Sequence, residues 1–338
     1  AENKVDSTPA SLNLQAKDLN NTGKILSLGD QRIQAENVNN TGLINSQGLT
    51  RIDASQGIQN VGTGQIYGDH IALQTSHLLN AEQQANGSVK AGTIAARQRL
   101  DIAGGKIENR EQALIASEGT LTVGGQLNAN HMAEGSAALL DNASARIQSV
   151  GDMYLGVDIL TNRNLHFSSS VKEIPETRKD VTAYQGAGSA EILDSSHITG
   201  HGSHDTIYLD GQKYEDYTRY IYNQYETKHY VDSSAPAEII SGGALTLKGQ
   251  SLTNDKSQIL AAKGITIEQN EVNNIDAEGE HRVIQSGTSR YHYVGWNSTG
   301  TSKRSKWNGS KPYNPADIVT PKKLNVVKYD GSYQGANG

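Results

Sequence analysis

Short segments of alternating apolar and polar residues recur along this chain. They read RIQA, RIDA, HIALQ, RLDIAG, TLTVGG, LTLKG and ITIEQ, and stretches rich in Gly, Asn and Asp separate them. A period of two places successive side chains on opposite faces of a β-strand. The pattern therefore predicts many short β-strands and little α-helix.

Asparagine recurs at a nearly fixed spacing between these segments. The spacing is 19 or 20 residues between the first four positions and 20 residues within each of two later pairs. The intervals from Asn80 to Asn109 and from Asn109 to Asn142 are 29 and 33 residues, which we interpret as single turns carrying the polar insertions AEQQANGSV and ANHMAEGSA. We predict a structural ladder at Asn21, Asn40, Asn60, Asn80, Asn142, Asn162, Asn254 and Asn274.

Two or three very short strands per 20 residues cannot form a hairpin sheet with its own core, but they can wind into a solenoid. Each unit would be one coil of a parallel β-helix, stacked on its neighbours at about 4.8 Å. We expect Leu19, Ile25 and Ile33 to point inward, and the asparagine amides to bond from coil to coil at one corner. The predicted fold class is all-β, with an additional β-hairpin or sheet outside the helix.

Composition favours a thin, repeating core over one large globular core. The 338 residues include 35 Gly and one Phe, and 35% are hydrophobic. The absence of Cys excludes disulfides and Cys-based zinc sites. No stretch approaches the roughly 18 apolar residues of a membrane span. Because the chain begins at Ala1 and not at Met, we expect it to be a piece of a longer protein.

Three segments resemble the haemagglutinin repeats of large bacterial exoproteins. They are GQIYGDHIALQTSHLLN (64–80), GTIAARQRLDIAGGKIENREQALIASEG (92–119) and LLDNASARIQSVGDMYL (139–155). The resemblance extends over about residues 11–164 and 238–280, and it points to filamentous haemagglutinins and CdiA-like contact-dependent growth-inhibition proteins. It implies a right-handed β-helix, export through an outer-membrane two-partner-secretion transporter, and an extracellular filament that adheres or delivers a toxin. It brings no catalytic motif and no cofactor.

Residues 165–237 depart from the repeat and are rich in tyrosine. Seven of the chain's 15 Tyr lie between Tyr208 and Tyr230. Asp210 and Gly211 stand between two strand-like runs, and this dipeptide predicts a hairpin with a type I′ turn.

The run RYIYNQYETKHYV predicts a strand with tyrosines on both faces. Tyr220 and Tyr222 share one face, whereas Ile221, Asn223 and Tyr225 share the other. Two interpretations remain open. The tyrosines pack a small extra layer, or they form an exposed aromatic platform for a partner.

Residues 281–338 form a second departure and are basic. They contain nine Lys or Arg, including Lys328, against Asp317 and Asp330, a net charge of +7 in a chain whose total is −6. Tyr and Trp are interleaved with these cations, a mixture that suits phosphorylated or sugar-bearing surfaces. A solvated tail is the alternative. Nucleic acid is disfavoured because no binding motif accompanies the charge.

Enzymes that cleave polysaccharides also use β-helices, but the sequence argues against one here. Gly200-His201-Gly202 matches a triplet of polygalacturonases, yet the Asn-Thr-Asp, Asp-Asp and Arg-Ile-Lys motifs that supply their acids are absent. His197, His201 and His204 lack a further ligand at fixed spacing that would complete a metal site. We predict no enzymatic activity, metal or cofactor.

The domain prediction follows these composition changes. It is a β-helix at 1–164, a projecting Tyr-rich hairpin insertion at 165–237, resumed coils at 238–280, and a basic aromatic segment packing with the insertion at 281–338.

The predicted function is recognition of a target-cell surface by a secreted filament. The partner would be lipopolysaccharide, another glycan or an outer-membrane protein. A purely structural spacer is the main alternative, and a polysaccharide-active enzyme is a remote one. The predicted receptor-binding residues are Tyr217, Tyr220, Tyr222, Tyr225, Trp296, Lys303, Arg304, Lys306, Trp307 and Lys311.

Overall fold

The computed structural model describes residues 10–85 and 88–326. Within them the chain forms 32 β-strands and two short 3-10 helices, and no helix is long and apolar enough to cross a membrane. Residues 86–87 of the first predicted insertion, and Lys328 and Asp330 of the basic segment, lie outside the described residues.

Backbone contacts divide the chain into two compact units. Within the described residues, the solenoid unit comprises residues 10–168, 231–277 and 325–326. The sheet unit comprises residues 169–230 and 278–324. The sheet unit thus combines most of the two segments in which the repeat is interrupted.

The solenoid unit is built mainly from strands that pair in parallel with the equivalent strand of the next coil. Leu14 pairs with Ile33, and Ile33 pairs with Ile52, at intervals of 19 residues. The parallel β-helix prediction is confirmed. The strands are β1 Leu12–Gln15, β2 Asp18–Asn21, β3 Lys24–Ser27, β4 Gln31–Asn40, β5 Leu43–Ser46, β6 Leu49–Val61, β7 Gln65–Ala85, β8 Ser88–Ala91, β9 Thr93–Arg110, β10 Leu114–Ser117, β11 Thr120–Gly124, β12 Gln126–Leu127, β13 Ala133–Glu134, β14 Ala137–Ala143, β15 Arg146–Ser149, β16 Met153–Arg163, β23 Glu238–Ser241, β24 Ala244–Lys248, β25 Ser251–Asp255, β26 Gln258–Ala261, β27 Gly264–Glu268 and β28 Glu271–Ile275.

The core of the solenoid unit consists of aliphatic columns inside the coils. Ile33 and Ile52 are fully buried, and each such side chain stabilises the fold by roughly 1.5–3 kcal/mol. Leu19 and Ile25 point inward as expected but are only partly buried. They belong to the first described coil, which has a described neighbour on one side only.

The asparagines form a continuous ladder at one corner of the coils. Each side-chain Nδ2 donates to the Oδ1 of the next asparagine at 2.7–2.9 Å, from Asn21 through to Asn274. Asn40 Nδ2 also donates to the Gln65 carbonyl oxygen at 3.2 Å. The ladder prediction is confirmed, and Asn109 joins it because the longer intervals do carry insertions.

Both insertions form small antiparallel pairs beside the coils. In the first, Glu82 on β7 pairs with Ala91 on β8. In the second, β13 pairs with β12, which lies just before the insertion, and the Ala133 backbone N–H donates to Asp101 Oδ1 at 2.8 Å. Asp101 is fully buried and also accepts hydrogen bonds from Arg99 and His70. This buried carboxylate therefore ties the insertion to the stacked coils.

The sheet unit is mainly antiparallel, with strand β29 (Glu278–Trp296) at its centre and strands β22 (Tyr217–Ser233), β30 (Lys303–Trp307), β31 (Lys311–Tyr313) and β32 (Ile318–Lys323) beside it. β22 pairs with β29 from Tyr217↔His292 to Lys228↔His281, and β30, β31 and β32 each pair with β29 on separate stretches. The two 3-10 helices are Ser195–His197 and Ser203–Asp205. The remaining strands are β17 Ser168–Gly186, β18 Leu193–Asp194, β19 Ile198–His201, β20 Ile207–Leu209 and β21 Gln212–Tyr214.

The Asp210-Gly211 hairpin forms as predicted. Leu209 pairs with Gln212 across the two-residue turn. Asp210 and Gly211 have φ values of 47° and 83°, and two positive φ angles define a type I′ turn.

Candidate binding surface

The predicted receptor-binding residues all lie in the sheet unit, on four strands. β22 carries the four tyrosines, β29 carries Trp296, β31 carries Lys311, and β30 carries the remaining four residues. Because side chains alternate along each strand, the registers of these pairs assign the residues to two opposite faces. The predicted residues therefore do not form one continuous surface.

One face, here called the tyrosine face, combines aromatic rings with cations. Tyr220 and Tyr222 contact the Tyr313 ring at centroid distances of 4.7 and 5.2 Å. The rings of Tyr291 and Tyr293 stack with their centroids 6.2 Å apart, and both residues lie on the tyrosine face. The cations of the tyrosine face are Arg304, Lys306 and Lys311, which pair in register with Gly295, Tyr293 and Ser289.

The opposite face, here called the Trp307 face, contains a small core. Tyr217 stacks on His292 at 4.6 Å and meets Trp307 edge-on at 5.7 Å. The Tyr217 hydroxyl donates to the Asp205 carbonyl oxygen at 3.0 Å. Burial of this phenol, with a smaller contribution from the nearby Asp205 carboxylate, raises the pKa of Tyr217 to about 12.

Two of the predicted binding tyrosines are packing residues. Tyr217 and Tyr222 are only 3% and 9% exposed. Their rings are covered by His292, Trp307 and Tyr313. The expectation that both supply stacking area to a partner was wrong, because an isolated alternation pattern does not reveal which neighbouring strands will cover a face.

The other predicted receptor-binding residues differ in the exposure of their side chains and in the contacts that their polar groups make. Trp296 is 59% exposed at the end of β29. Lys303 Nζ lies 3.4 Å from Glu215 Oε2, so its charge is partly neutralised. Lys306 Nζ donates to the Trp296 carbonyl oxygen at 3.0 Å. Arg304 and Lys311 are exposed, and no described carboxylate lies within 4.0 Å of either.

Tyr225 lies on the Trp307 face, and its ring contacts the guanidinium of an arginine. The Arg178 guanidinium is 4.5 Å from its ring centroid and forms an ion pair with Glu173 at 2.7 Å. The hydrogen bond from Arg178 lowers the pKa of Glu173. The same guanidinium donates to Asn223 Oδ1 at 3.0 Å, so Asn223 and Tyr225 share a face as predicted.

Sequence reasoning missed a pair of arginines on the Trp307 face. Arg219 on β22 lies directly opposite Arg290 on β29. Their guanidinium carbons are 4.7 and 5.5 Å from the Trp307 ring centroid. The pairing joins positions 71 residues apart, and no local pattern signals such a register.

Metal ligands do not converge in the part of the chain that the structure describes: no group of three His, Cys, Asp or Glu is placed to hold an ion. Of the three histidines considered above, His197 Nδ1 lies 3.0 Å from Asp210 Oδ2, within hydrogen-bonding distance. His201 ends β19 and His204 lies in the second 3-10 helix.

Comparison with known proteins bears on the solenoid unit. The haemagglutinin repeat family matches residues 118–170 and 231–280. Most of these residues form the coils that run from β11 to β16 and from β23 to β28. No curated protein matches the chain. No solved structure matches it. Proteins with this repeat are secreted surface filaments of two-partner secretion, adhesive and structural in role.

Proposed function

Because the haemagglutinin repeat family matches residues 118–170 and 231–280, we propose that this chain is the receptor-binding portion of a secreted filament of the filamentous haemagglutinin type. In this proposal the solenoid unit is shaft, and the sheet unit recognises a component of the target-cell surface. The partner is a glycan such as lipopolysaccharide, or an outer-membrane protein. In a growth-inhibition protein the target would be another bacterium that receives a toxin, and in a haemagglutinin it would be a host cell.

The observation that carries the proposal is the tyrosine face. It presents Arg304 and Lys311, without described carboxylate partners, beside the Tyr291–Tyr293 stack. Aromatic rings offer contact area to sugar rings and apolar groups at low entropic cost, and cations attract phosphates and carboxylates. Together they suit an acidic, sugar-bearing surface.

The solenoid unit uses its charges differently. Arg99 pairs with Asp101 at 2.6 Å, Arg163 with Asp141 at 2.8 Å, and Lys106 with Glu108 at 2.9 Å. The Arg163–Asp141 pair joins β16 to β14, whereas the other two pairs lie within β9, and all three leave less charge for a partner. This supports assigning recognition to the sheet unit and scaffolding to the solenoid unit.

The test is binding of the full chain to intact Gram-negative cells. We expect the triple variant Arg304→Ser/Lys306→Ser/Lys311→Ser to bind at least tenfold more weakly, since charged contacts each contribute about 1.5 kcal/mol or more. The matched control is Lys17→Ser/Lys24→Ser/Lys263→Ser, which removes three exposed cations of the solenoid unit. Circular dichroism checks the fold of both variants.

Equal binding by parent, variant and control would favour the structural-spacer alternative. Equal losses in variant and control would indicate nonspecific charge attraction. Either result contradicts recognition by the tyrosine face.

A further inference from the structure

The Arg219–Arg290 pair on the Trp307 face is unusual because two like charges face each other across neighbouring strands. Like charges directly opposite on a sheet destabilise it. Here the two guanidinium carbons are both within 5.5 Å of the centroid of one Trp307 ring. The aromatic ring offsets part of the repulsion by cation–π attraction and holds both groups in place.

No described acid neutralises this pair. Neither guanidinium has a carboxylate oxygen within 4.0 Å among the described residues. Arg290 Nε donates to the Asn308 carbonyl oxygen at 3.2 Å. Arg219 Nε is buried and has no hydrogen-bond partner among the described residues, and a buried donor without an acceptor destabilises the folded state. Excess positive charge and an unused donor therefore coincide at one place.

On the side away from the Tyr217–His292 pair, the surroundings of the two arginines are mostly polar. Ile221 and Thr288 form the next pair along the same face, about 7 Å away for two strand residues. Ile221 is 47% exposed, and Thr288 and Ser286 are also exposed. One aliphatic side chain among hydroxyl groups suits the edge of a sugar ring better than an acyl chain.

We propose that Arg219 and Arg290 form a binding site for a phosphate group carried on a carbohydrate. Each guanidinium presents two parallel N–H donors that match two phosphate oxygens, and the dianion compensates both charges. Trp307 acts as a positioning residue that limits the motion of the guanidiniums. The site lies on the face opposite Arg304 and Lys311, so it is independent of the tyrosine face and adds a second contact.

The first test uses the unmutated protein and needs no folding control. The chain contains two Trp, and only Trp307 contacts the arginine pair. Titration with inorganic phosphate should shift the Trp307 indole resonance in a nitrogen-edited NMR spectrum and leave that of Trp296 unchanged. Equal shifts of both resonances, or none, would overturn the site.

The second test compares ligands by calorimetry. The probe is phosphorylated lipopolysaccharide core oligosaccharide, with the same oligosaccharide after enzymatic dephosphorylation as its control. We expect dephosphorylation to weaken binding about tenfold or more, as does the double variant Arg219→Gln/Arg290→Gln. Lys17→Gln/Lys24→Gln, which removes the same charge from the solenoid unit, should bind as the parent does.

Other outcomes separate this site from its alternatives. Binding to phosphatidylglycerol vesicles without binding to the oligosaccharide would overturn the carbohydrate assignment in favour of a lipid. Arg219→Lys/Arg290→Lys keeps the charge and loses the paired donors, so it should bind with intermediate affinity. Full affinity in that variant would overturn the bidentate geometry. Loss of cell binding only in the tyrosine-face variant would not affect this inference.

Discussion

The solenoid unit and the sheet unit use the same type of strand but different contacts between strands. In the solenoid unit each contact is repeated: Ile33, Ile52 and Leu73 stack in register, and Asn40 bonds to Asn60. In the sheet unit each contact is particular, as in Tyr217 stacked on His292. Repetition gives a surface that is nearly the same from coil to coil, whereas particular pairs concentrate aromatic rings and charge in one place. Under the proposed function, scaffold and recognition are therefore assigned to separate units of the chain.

The largest expected effect is a charge placed in a repeated column. Ile52→Asp would bury an unpaired carboxylate between Ile33 and Leu73, and we expect a loss of about 4 kcal/mol in unfolding free energy. Chemical denaturation followed by circular dichroism measures it. Leu28→Asp is the control, because Leu28 is 68% exposed. Similar midpoints for the two variants would contradict the coil assignment.

Alkaline pH should act on the sheet unit through Tyr217. The pKa of Tyr217 in the folded protein, about 12, lies above the ordinary 10.0. The contribution of its neutral phenol to the free energy of unfolding is therefore complete below pH 10 and is lost as the pH rises towards 12. The full difference between the folded and the ordinary pKa corresponds to about 3 kcal/mol of unfolding free energy. Denaturation midpoints between pH 8 and 12 should therefore fall more steeply for the parent than for Tyr217→Phe. Parallel pH profiles would show that burial of this phenol is not linked to stability.

The ladder asparagines should have a smaller effect than the aliphatic columns. Asn40→Ala removes hydrogen bonds to Asn21, Asn60 and Gln65, and we expect a loss of about 2 kcal/mol. The neighbouring Asn39 makes one exposed bond to Asn20, so Asn39→Ala should cost less than about 0.5 kcal/mol. The comparison is made by urea denaturation. Equal losses would mean that the ladder is not a buried network.

The smallest effect is expected at an exposed ion pair of the sheet unit. Lys303 and Glu215 approach to 3.4 Å, with side chains 47% and 40% exposed. Such pairs contribute about 0–1 kcal/mol, so Lys303→Ala should leave the thermal midpoint nearly unchanged. A drop of many degrees would show that this part of the sheet unit depends on charge pairing and not on the Tyr217–Trp307 core.

The difference between the two units also decides what the sequence can predict. The asparagine spacing and the alternation in RIQA or RIDA predicted coils and the ladder, because each coil repeats the signal of its neighbour. The Asp210-Gly211 turn was predictable because its two positive φ angles are a local requirement. The turn depends on two adjacent residues, whereas the coils and the ladder depend on a sequence signal that is repeated many times.

The missed features depend on pairings between distant residues. Tyr217 and Tyr222 were expected to be exposed, but β29 and β31 bring His292 and Tyr313 against them. Arg219 and Arg290 form a pair only because of the β22–β29 register. Residues so far apart align only after the sheet has formed, and no residue pattern in either strand specifies the partner.

The central claim is that the sheet unit supplies recognition while the solenoid unit supplies the scaffold. The most direct measurement is the association rate of the full chain with intact Gram-negative cells at increasing salt. Since charge attraction is screened over about 8 Å at physiological ionic strength, salt should slow association of the parent more than it speeds release. Arg304→Ser/Lys306→Ser/Lys311→Ser should lose most of this salt dependence, and Lys17→Ser/Lys24→Ser/Lys263→Ser should keep it. Identical salt dependence in both variants would contradict the claim.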